Sequence, residues 1–167
     1  MDTKDLHRIT STAIIHKDGK YLIVQRSLSK KAFPGRWTVP GGGLELDDYI
    51  NTPKQTPDAW YFPVIESLKR EIKEETGLEV GKLEYLLDVA FVRSDGIPVI
   101  TLSYYCDWKS GEVQLNDENI DYKWVSVEEV KNYDLIGGII EEIKMADKIL
   151  KGEDPSKVEF SAKGGPA

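Results

Sequence analysis

Between Pro63 and Gly77 the sequence sets out a complete helix and places a charge problem inside it. Pro63 suits the first turn, where its missing N–H would be unpaired anyway. Val64, Ile65, Leu68 and Ile72 recur at helical spacing, and Thr76-Gly77 is a helix stop. Glu71, Glu74 and Glu75 stand at i, i+3 and i+4. At about 100° per residue they fall within about 100° of arc, one above another. Like charges so spaced oppose the helix by roughly a few tenths of a kcal/mol per pair. They also crowd its C-terminal half, where the helix dipole disfavours anions. With Val64 as zero, the apolar stripe spans about 0° to 100°, Glu75 falls at about 20° and Glu71 at about −20°. The carboxylates therefore border the core instead of opposing it. A solvated acidic face matched by Arg70 and Lys73 is the ordinary alternative. The position beside the stripe and the glycine-rich turn upstream favour a compensating cation. Oxygen donors alone suit Mg²⁺, with Mn²⁺ as a second choice. Zinc fits less well, because His7 and His16 are remote in sequence.

The rest of the chain reads as strands around this helix. Runs at Ile9–His16 and Tyr21–Gln25 flank a turn, Lys17-Asp-Gly-Lys20. A basic loop follows from Arg26 to Arg36, then a short strand, Trp37–Val39, ending in Pro40-Gly-Gly-Gly43. Residues 46–62 are polar and turn-prone. Leu83–Arg93 and Ile97–Trp108 form two long strands around Ser94-Asp-Gly96, and residues 109–120 a polar loop. Ile120–Val125 adds a strand, and helices follow at Val127–Tyr133 and Gly138–Leu150. This order predicts an α+β fold, a mixed sheet with helices on its faces. At 167 residues one domain is expected, over 1–150, with a tail at 151–167 that adds nothing to the core.

A net charge of −7 argues against extended nucleic acid and anionic membranes as partners. Cys106 is the sole cysteine, which excludes an intrachain disulfide and a cysteine zinc cluster. No apolar run of about 18 residues exists, and the first residues lack the apolar core of a signal peptide. The expectation is a soluble, cytoplasmic protein.

Arg70-Glu71-Ile72-Lys73-Glu74-Glu75-Thr76-Gly77-Leu78 matches the R-E-U-x-E-E-x-G-U half of the Nudix box, U being a bulky aliphatic residue. Trp37 to Glu45 is similar to the strand and loop that enter that box. The chain thus resembles a Nudix hydrolase over most of residues 8–150. In the family's first half, G-x5-E is followed by seven residues and R-E. Counted from Gly42, the acid position holds Asp48, and 21 residues (49–69) separate it from Arg70, 14 more than seven. An insertion of that size, 49–62, interrupts the box, and Asp47 replaces the glycine that usually precedes the acid. The resemblance implies an α/β/α sandwich and hydrolysis of a nucleoside diphosphate linked to another moiety. It implies Glu71, Glu74 and Glu75 as metal ligands, usually for Mg²⁺, one of them helping to activate water. Arg70 would orient Glu71, and Gly42 and Gly43 would let the loop turn tightly. Ser67 stands where a small residue is favoured.

Further candidates come from position. Glu118, in a polar loop before a strand, is a candidate general base or extra metal ligand. Arg26, Arg36 and Lys30 or Lys31 are candidate phosphate contacts, Arg26 first because it ends a strand. Trp60, Tyr61 and Phe62 close the insertion and either stack a base or pin the insertion to the body. Trp37, Trp124 and Cys106 are expected in the core. The expected substrate is a small nucleotide, a nucleoside triphosphate or a nucleotide-sugar. The alternatives are a Nudix-fold nucleotide sensor that does not cut, and isopentenyl-diphosphate isomerase chemistry, which needs a catalytic cysteine. The sequence leaves the oligomeric state open, a homodimer being one option.

Overall fold

The computed structural model describes residues 3–162, so residues 163–167 of the expected tail lie outside the described residues. Strand β1 spans Arg8–Lys17, β2 Lys20–Arg26, β3 Trp37–Thr38 and β4 Gly41–Gly43. Helix α1 follows at Pro63–Thr76, then β5 at Glu79–Val80, β6 at Glu84–Val92, β7 at Pro98–Ser110 and β8 at Asn119–Val125. Helix α2 closes the body at Ile139–Leu150.

The sheet is mixed. β1 runs parallel to β7 along its length, from Arg8 opposite Val99 to His16 opposite Asp107. β1 and β2 pair only beside their turn, at His16–Tyr21 and Lys17–Lys20. Beyond that point β2 pairs with β8 and β3. β4 takes the edge of β1 that β2 leaves, with Thr10, Ser11 and Thr12 opposite Gly43, Gly42 and Gly41.

Alternation along the strands builds the layers. Ala13, Ile15, Leu22 and Val24 point to one face and pack with Leu68 and Ile72 of α1. Ile14, Tyr21 and Ile23 point to the other and pack with Ile139, Ile143 and Ala146 of α2. This period-2 division produces the expected α/β/α sandwich. Full burial of an Ile or Leu side chain contributes roughly 1.5–3 kcal/mol, and Leu68, Ile72 and Ile143 are all wholly buried. Cys106 is buried in the α1 cluster, and Trp37 and Trp124 pack half-buried against the two clusters.

Three elements differ from the sequence expectation. The helix expected at Val127–Tyr133 is only a single tight turn, Val130–Asn132. The chain must extend there, because Trp37 N–H donates to Asp134 O at 3.0 Å and Ile136 N–H to Trp37 O at 2.9 Å. Gly41–Gly43, expected as a loop, is a strand against β1. A Cβ at Gly41 would collide with Ser11 O, at Gly42 with the Glu71 carboxylate and at Gly43 with the Arg8 guanidinium. β7 continues past Trp108 to pair with β5, a two-residue strand too short to signal itself.

Helix α1 occupies the expected span. It stops where Gly77, at φ 71°, takes a left-handed conformation and donates its N–H to Lys73 O at 2.9 Å. The segment expected as an insertion, residues 49–62, folds on itself. Trp60 Nε1 donates to Thr52 O at 2.9 Å, and the Trp60 ring meets Tyr49 edge-on at 5.3 Å. The described tail turns at Pro155–Lys157, and Phe160 reaches the neighbourhood of Gly138.

Gly41→Ala is expected to lower unfolding stability by about 1–3 kcal/mol, since backbone blocks the new methyl. Gly137→Ala, whose Cβ meets nothing within 4 Å, should stay within about 0.5 kcal/mol. Urea unfolding of both variants checks the contrast.

Candidate active site

Helix α1 delivers its carboxylates at graded depth. Glu75 is 5% exposed, the Glu71 side chain 12% and the Glu74 side chain 53%. The gradient follows the helical azimuths, Glu75 lying on the apolar stripe and Glu71 beside it. Arg70 joins the parts. Its Nε donates to Asp48 Oδ1 at 2.5 Å and its Nη2 to Asp48 Oδ2 at 3.2 Å, a two-pronged pair. Nη2 also lies 3.1 Å from Glu71 Oε1, and Nη1 donates to Glu74 Oε2 at 3.0 Å. The Glu45 amide donates to Asp48 Oδ2 at 2.8 Å. Burial pushes the Asp48 carboxyl up, but Arg70, the Glu45 N–H and the Ser67 hydroxyl together hold it below the usual range. Asp48 thus braces the loop against α1, and residues 49–62 leave and return without disturbing that pair.

Behind Arg70 the acids crowd. Gly41 N–H donates to Glu75 Oε2 at 3.1 Å. Burial pushes the Glu75 carboxyl up to about 8, against the Gly41 N–H, with Glu118 and Glu71 pushing the same way. Burial raises Glu71 as well, opposed by Arg70 and reinforced by Glu74 and Glu118. Glu118 goes the other way, held low first by Lys30, whose Nζ lies 2.8 Å from Glu118 Oε1, and further by Arg26. Ser27 N–H donates to Glu118 O at 2.9 Å, fixing this loop to the end of β2. Arg26, its Nε donating to Ala32 O at 2.9 Å, faces Glu75 and Glu118.

These groups line a cleft of about 1210 Å³. Of the residues expected from sequence it brings together Glu71, Glu75, Glu118, Arg26, Lys30, Lys31, Gly42 and Gly43. Glu74 lies outside the lining, on the exposed side with Arg70. Arg36 is also outside, donating from Nη2 to Leu135 O at 2.6 Å and to Asp134 Oδ1 at 3.1 Å. Trp60 and Tyr61 stay within the insertion, where the Tyr61 N–H donates to Gln55 Oε1 at 2.9 Å. Cys106 does not line the cleft, and burial pushes its thiol up to about 12, which leaves isomerase chemistry without its nucleophile.

Sequence reasoning missed Arg8, Asn119, Glu142 and a row of hydroxyls in the lining. Thr10 meets Thr101 at 2.6 Å and Thr12 meets Ser103 at 3.0 Å. The signal was available in β7, where Thr101 and Ser103 alternate with apolar residues, but not in β1, where Thr10-Ser11-Thr12 is an unbroken polar run. Asn119 Nδ2 is buried without a hydrogen-bond partner.

Among the described residues, no group of three or more His, Cys, Asp or Glu side chains is placed to hold a metal ion between them. The donor set still fits a divalent cation of the Mg²⁺ kind. Such an ion takes one or two carboxylates, keeps waters and leaves positions for phosphate oxygens. The crowding of Glu75 on Glu118 and Glu71 is relieved by positive charge at that point.

A sandwich of this topology, with buried carboxylates and cations lining one cleft, is an arrangement suited to cleaving phosphoanhydrides with a divalent cation. A NUDIX domain model matches residues 62–143. The nucleoside triphosphatase NudI of Escherichia coli K12 is 32% identical over 132 residues, covering 73% of this chain and 84% of that protein. NudI of Klebsiella pneumoniae is also 32% identical, over 133 residues, with the same coverage of 73% and 84%. The NUDIX domain of Shewanella oneidensis NrtR, solved with ADP ribose, aligns with a TM-score of 0.67 at 23% identity, covering 90% of this chain and 94% of that one. A MutT NUDIX hydrolase from Burkholderia pseudomallei aligns at 0.66 and 22% identity, covering 84% and 98%. The chain belongs to the Nudix hydrolases, pyrophosphohydrolases that generally use divalent metal ions and act on nucleoside diphosphate-linked substrates. No helix among the described residues is long and apolar enough to cross a membrane.

The raised Glu75 carboxyl fixes a pH dependence. Its ordinary value of 4.5 applies unfolded and about 8 folded. The folded chain therefore keeps a proton that the unfolded chain has lost, and this stabilisation is full below 4.5 and lost as pH rises through 8. Metal-free protein should show a Tm that falls between about pH 5 and 8.5, and Glu75→Gln should flatten that fall. Calorimetry on both proteins with a chelator present checks it.

Proposed function

We propose that this chain hydrolyses nucleoside triphosphates with Mg²⁺, cleaving a phosphoanhydride to release nucleoside monophosphate and pyrophosphate. The observation that carries the proposal is the convergence of Glu71, Glu75 and Glu118 with Arg26 and Lys30 on one cleft. The likeness to the nucleoside triphosphatase NudI favours a triphosphate over a nucleotide-sugar. Bound there, Mg²⁺ neutralises phosphate oxygens and lowers the pKa of its bound water.

The chain's own residues supply the rest. Glu71 and Glu75 would hold the cation from α1. Glu74 is assigned as a ligand through the motif, since its side chain faces outward with Arg70. Arg70 keeps Glu71 in place and locks the loop through Asp48. Arg26, Lys30 and Arg8, all in the lining, bind phosphate oxygens. Glu118, kept ionised by Lys30 and Arg26, accepts the proton of the attacking water. The new P–O bond forms to water as the P–O bond to the departing pyrophosphate breaks. Mn²⁺ is proposed to replace Mg²⁺, because both accept oxygen ligands. The cytoplasm, which supplies nucleotides, is the proposed setting.

The test is a nucleotide panel with Mg²⁺, reading monophosphate, pyrophosphate and phosphate. Glu71→Gln and Glu74→Gln should each lower kcat by about 100-fold or more. Unchanged turnover in Glu74→Gln removes Glu74 from the metal site, and unchanged turnover in both variants overturns the site.

A further inference from the structure

On the α2 side, the cleft is lined by residues that hydrolysis does not use. The chief one is Glu142, 5% exposed. Its Oε2 accepts from the Ser103 hydroxyl at 2.8 Å, and Ser103 in turn meets Thr12 at 3.0 Å. Its Oε1 accepts from no donor among the described residues. That oxygen lies on the side of Gly138, 3.9 Å from where a Cβ there would sit. Gly137 and Gly138 both line the cleft, and a Cβ at Gly137 would meet nothing within 4 Å. The nearby backbone thus leaves room in front of the carboxylate.

Burial pushes the Glu142 carboxyl up, with Ser103 opposing and Glu141 adding to the rise. The charge that adds to the rise is that of Glu141, its neighbour on α2. A buried carboxylate with one oxygen unpaired is unfavourable unless a donor arrives from the cleft.

Flat apolar surfaces also line the cleft. Phe33, Phe91 and Phe160 all belong to the lining. Phe33 and Phe91 meet edge-on with ring centroids 6.4 Å apart. Phe33 stands at φ 50°, a left-handed conformation rare for so bulky a residue. Its surroundings hold it there against that preference. Aromatic faces of this kind stack bases of any sequence, so the choice among bases falls to a polar group in the same cleft, and Phe160 and Glu142 Oε1 both lie about 4 Å from where a Gly138 Cβ would sit.

We propose that Glu142 reads the base of the nucleotide, its free Oε1 accepting a ring N–H. The inference rests on the nucleotide reading above and deepens it. The class of base that fits is a lactam: uracil, thymine or guanine, whose pairing edge carries a ring N–H. Cytosine and adenine present a ring-nitrogen lone pair there, which the carboxylate repels. A site built to bond an N–H rejects analogues that lack it, because its own buried acceptor is then left unpaired.

The experiment compares kcat/KM for UTP, GTP, CTP, ATP and base-free ribose 5-triphosphate at about pH 8.5. Wild type should favour UTP or GTP over CTP and ATP by about 10-fold or more. Glu142→Gln, which keeps the shape, should bring the four nucleotides within about 3-fold of one another. It should change ribose 5-triphosphate by less than about 2-fold, because the phosphate end is untouched. Gly137→Phe, which adds bulk to the cleft wall next to Gly138, should lower all four nucleotides and spare ribose 5-triphosphate. It carries the test if Glu142→Gln does not fold. A wild-type preference for CTP or ATP overturns the inference. So do equal losses on base-bearing and base-free substrates, and a Glu142→Gln protein with unchanged preference. In those three cases the hydrolase reading stands. Wild type that turns over no nucleotide removes that reading and this inference with it.

Discussion

The Arg70 guanidinium binds three acidic side chains at once, and the geometry of the site follows from that single group. Its two-pronged contact with Asp48 joins the loop after β4 to helix α1. Its remaining contacts hold Glu71 toward the cleft and Glu74 away from it. Planar and always charged, guanidinium can serve several carboxylates in fixed directions where an ammonium could not. Without it the loop would lose its anchor, and Glu71 its nearest positive charge.

The site also depends on backbone coming closer to α1 than side chains permit. β4 lies against β1 and under Glu71, and Gly41 donates to Glu75. The glycines are therefore a packing requirement first. The same closeness removes water from the carboxylates and raises Glu71 and Glu75. Hydrophobic burial in the helix layer thus has an electrostatic consequence: the stripe that anchors α1 desolvates the acids at its edge.

Much of this was legible in the chain. The strand alternation of β1 and β2, the span of α1 and the burial of Glu75 all follow from local periodicity, which needs no partner to be read. The nine residues from Arg70 to Leu78 carried the family. Other features were decided by contacts distant in sequence. The turn at Val130–Asn132 is short because Trp37 claims Asp134 and Ile136 as partners. Arg36, though placed in a basic loop, is taken by Asp134 and Leu135. Glu74 carries the motif's charge but faces outward with Arg70. Glu142 gave no signal, since a glutamate in a helix looks ordinary until the sheet beneath it is known.

The folding of residues 49–62 on themselves has a consequence for how such a chain can change. Trp60 closes the segment onto Thr52 and Tyr49, and the residues on either side meet at Asp48 and Arg70. A loop with fixed ends costs little more as it grows, since closure entropy rises only logarithmically with length. The position is thus a natural splice point: segments of varied length can be grafted, trimmed or exchanged there while the carboxylates keep their places.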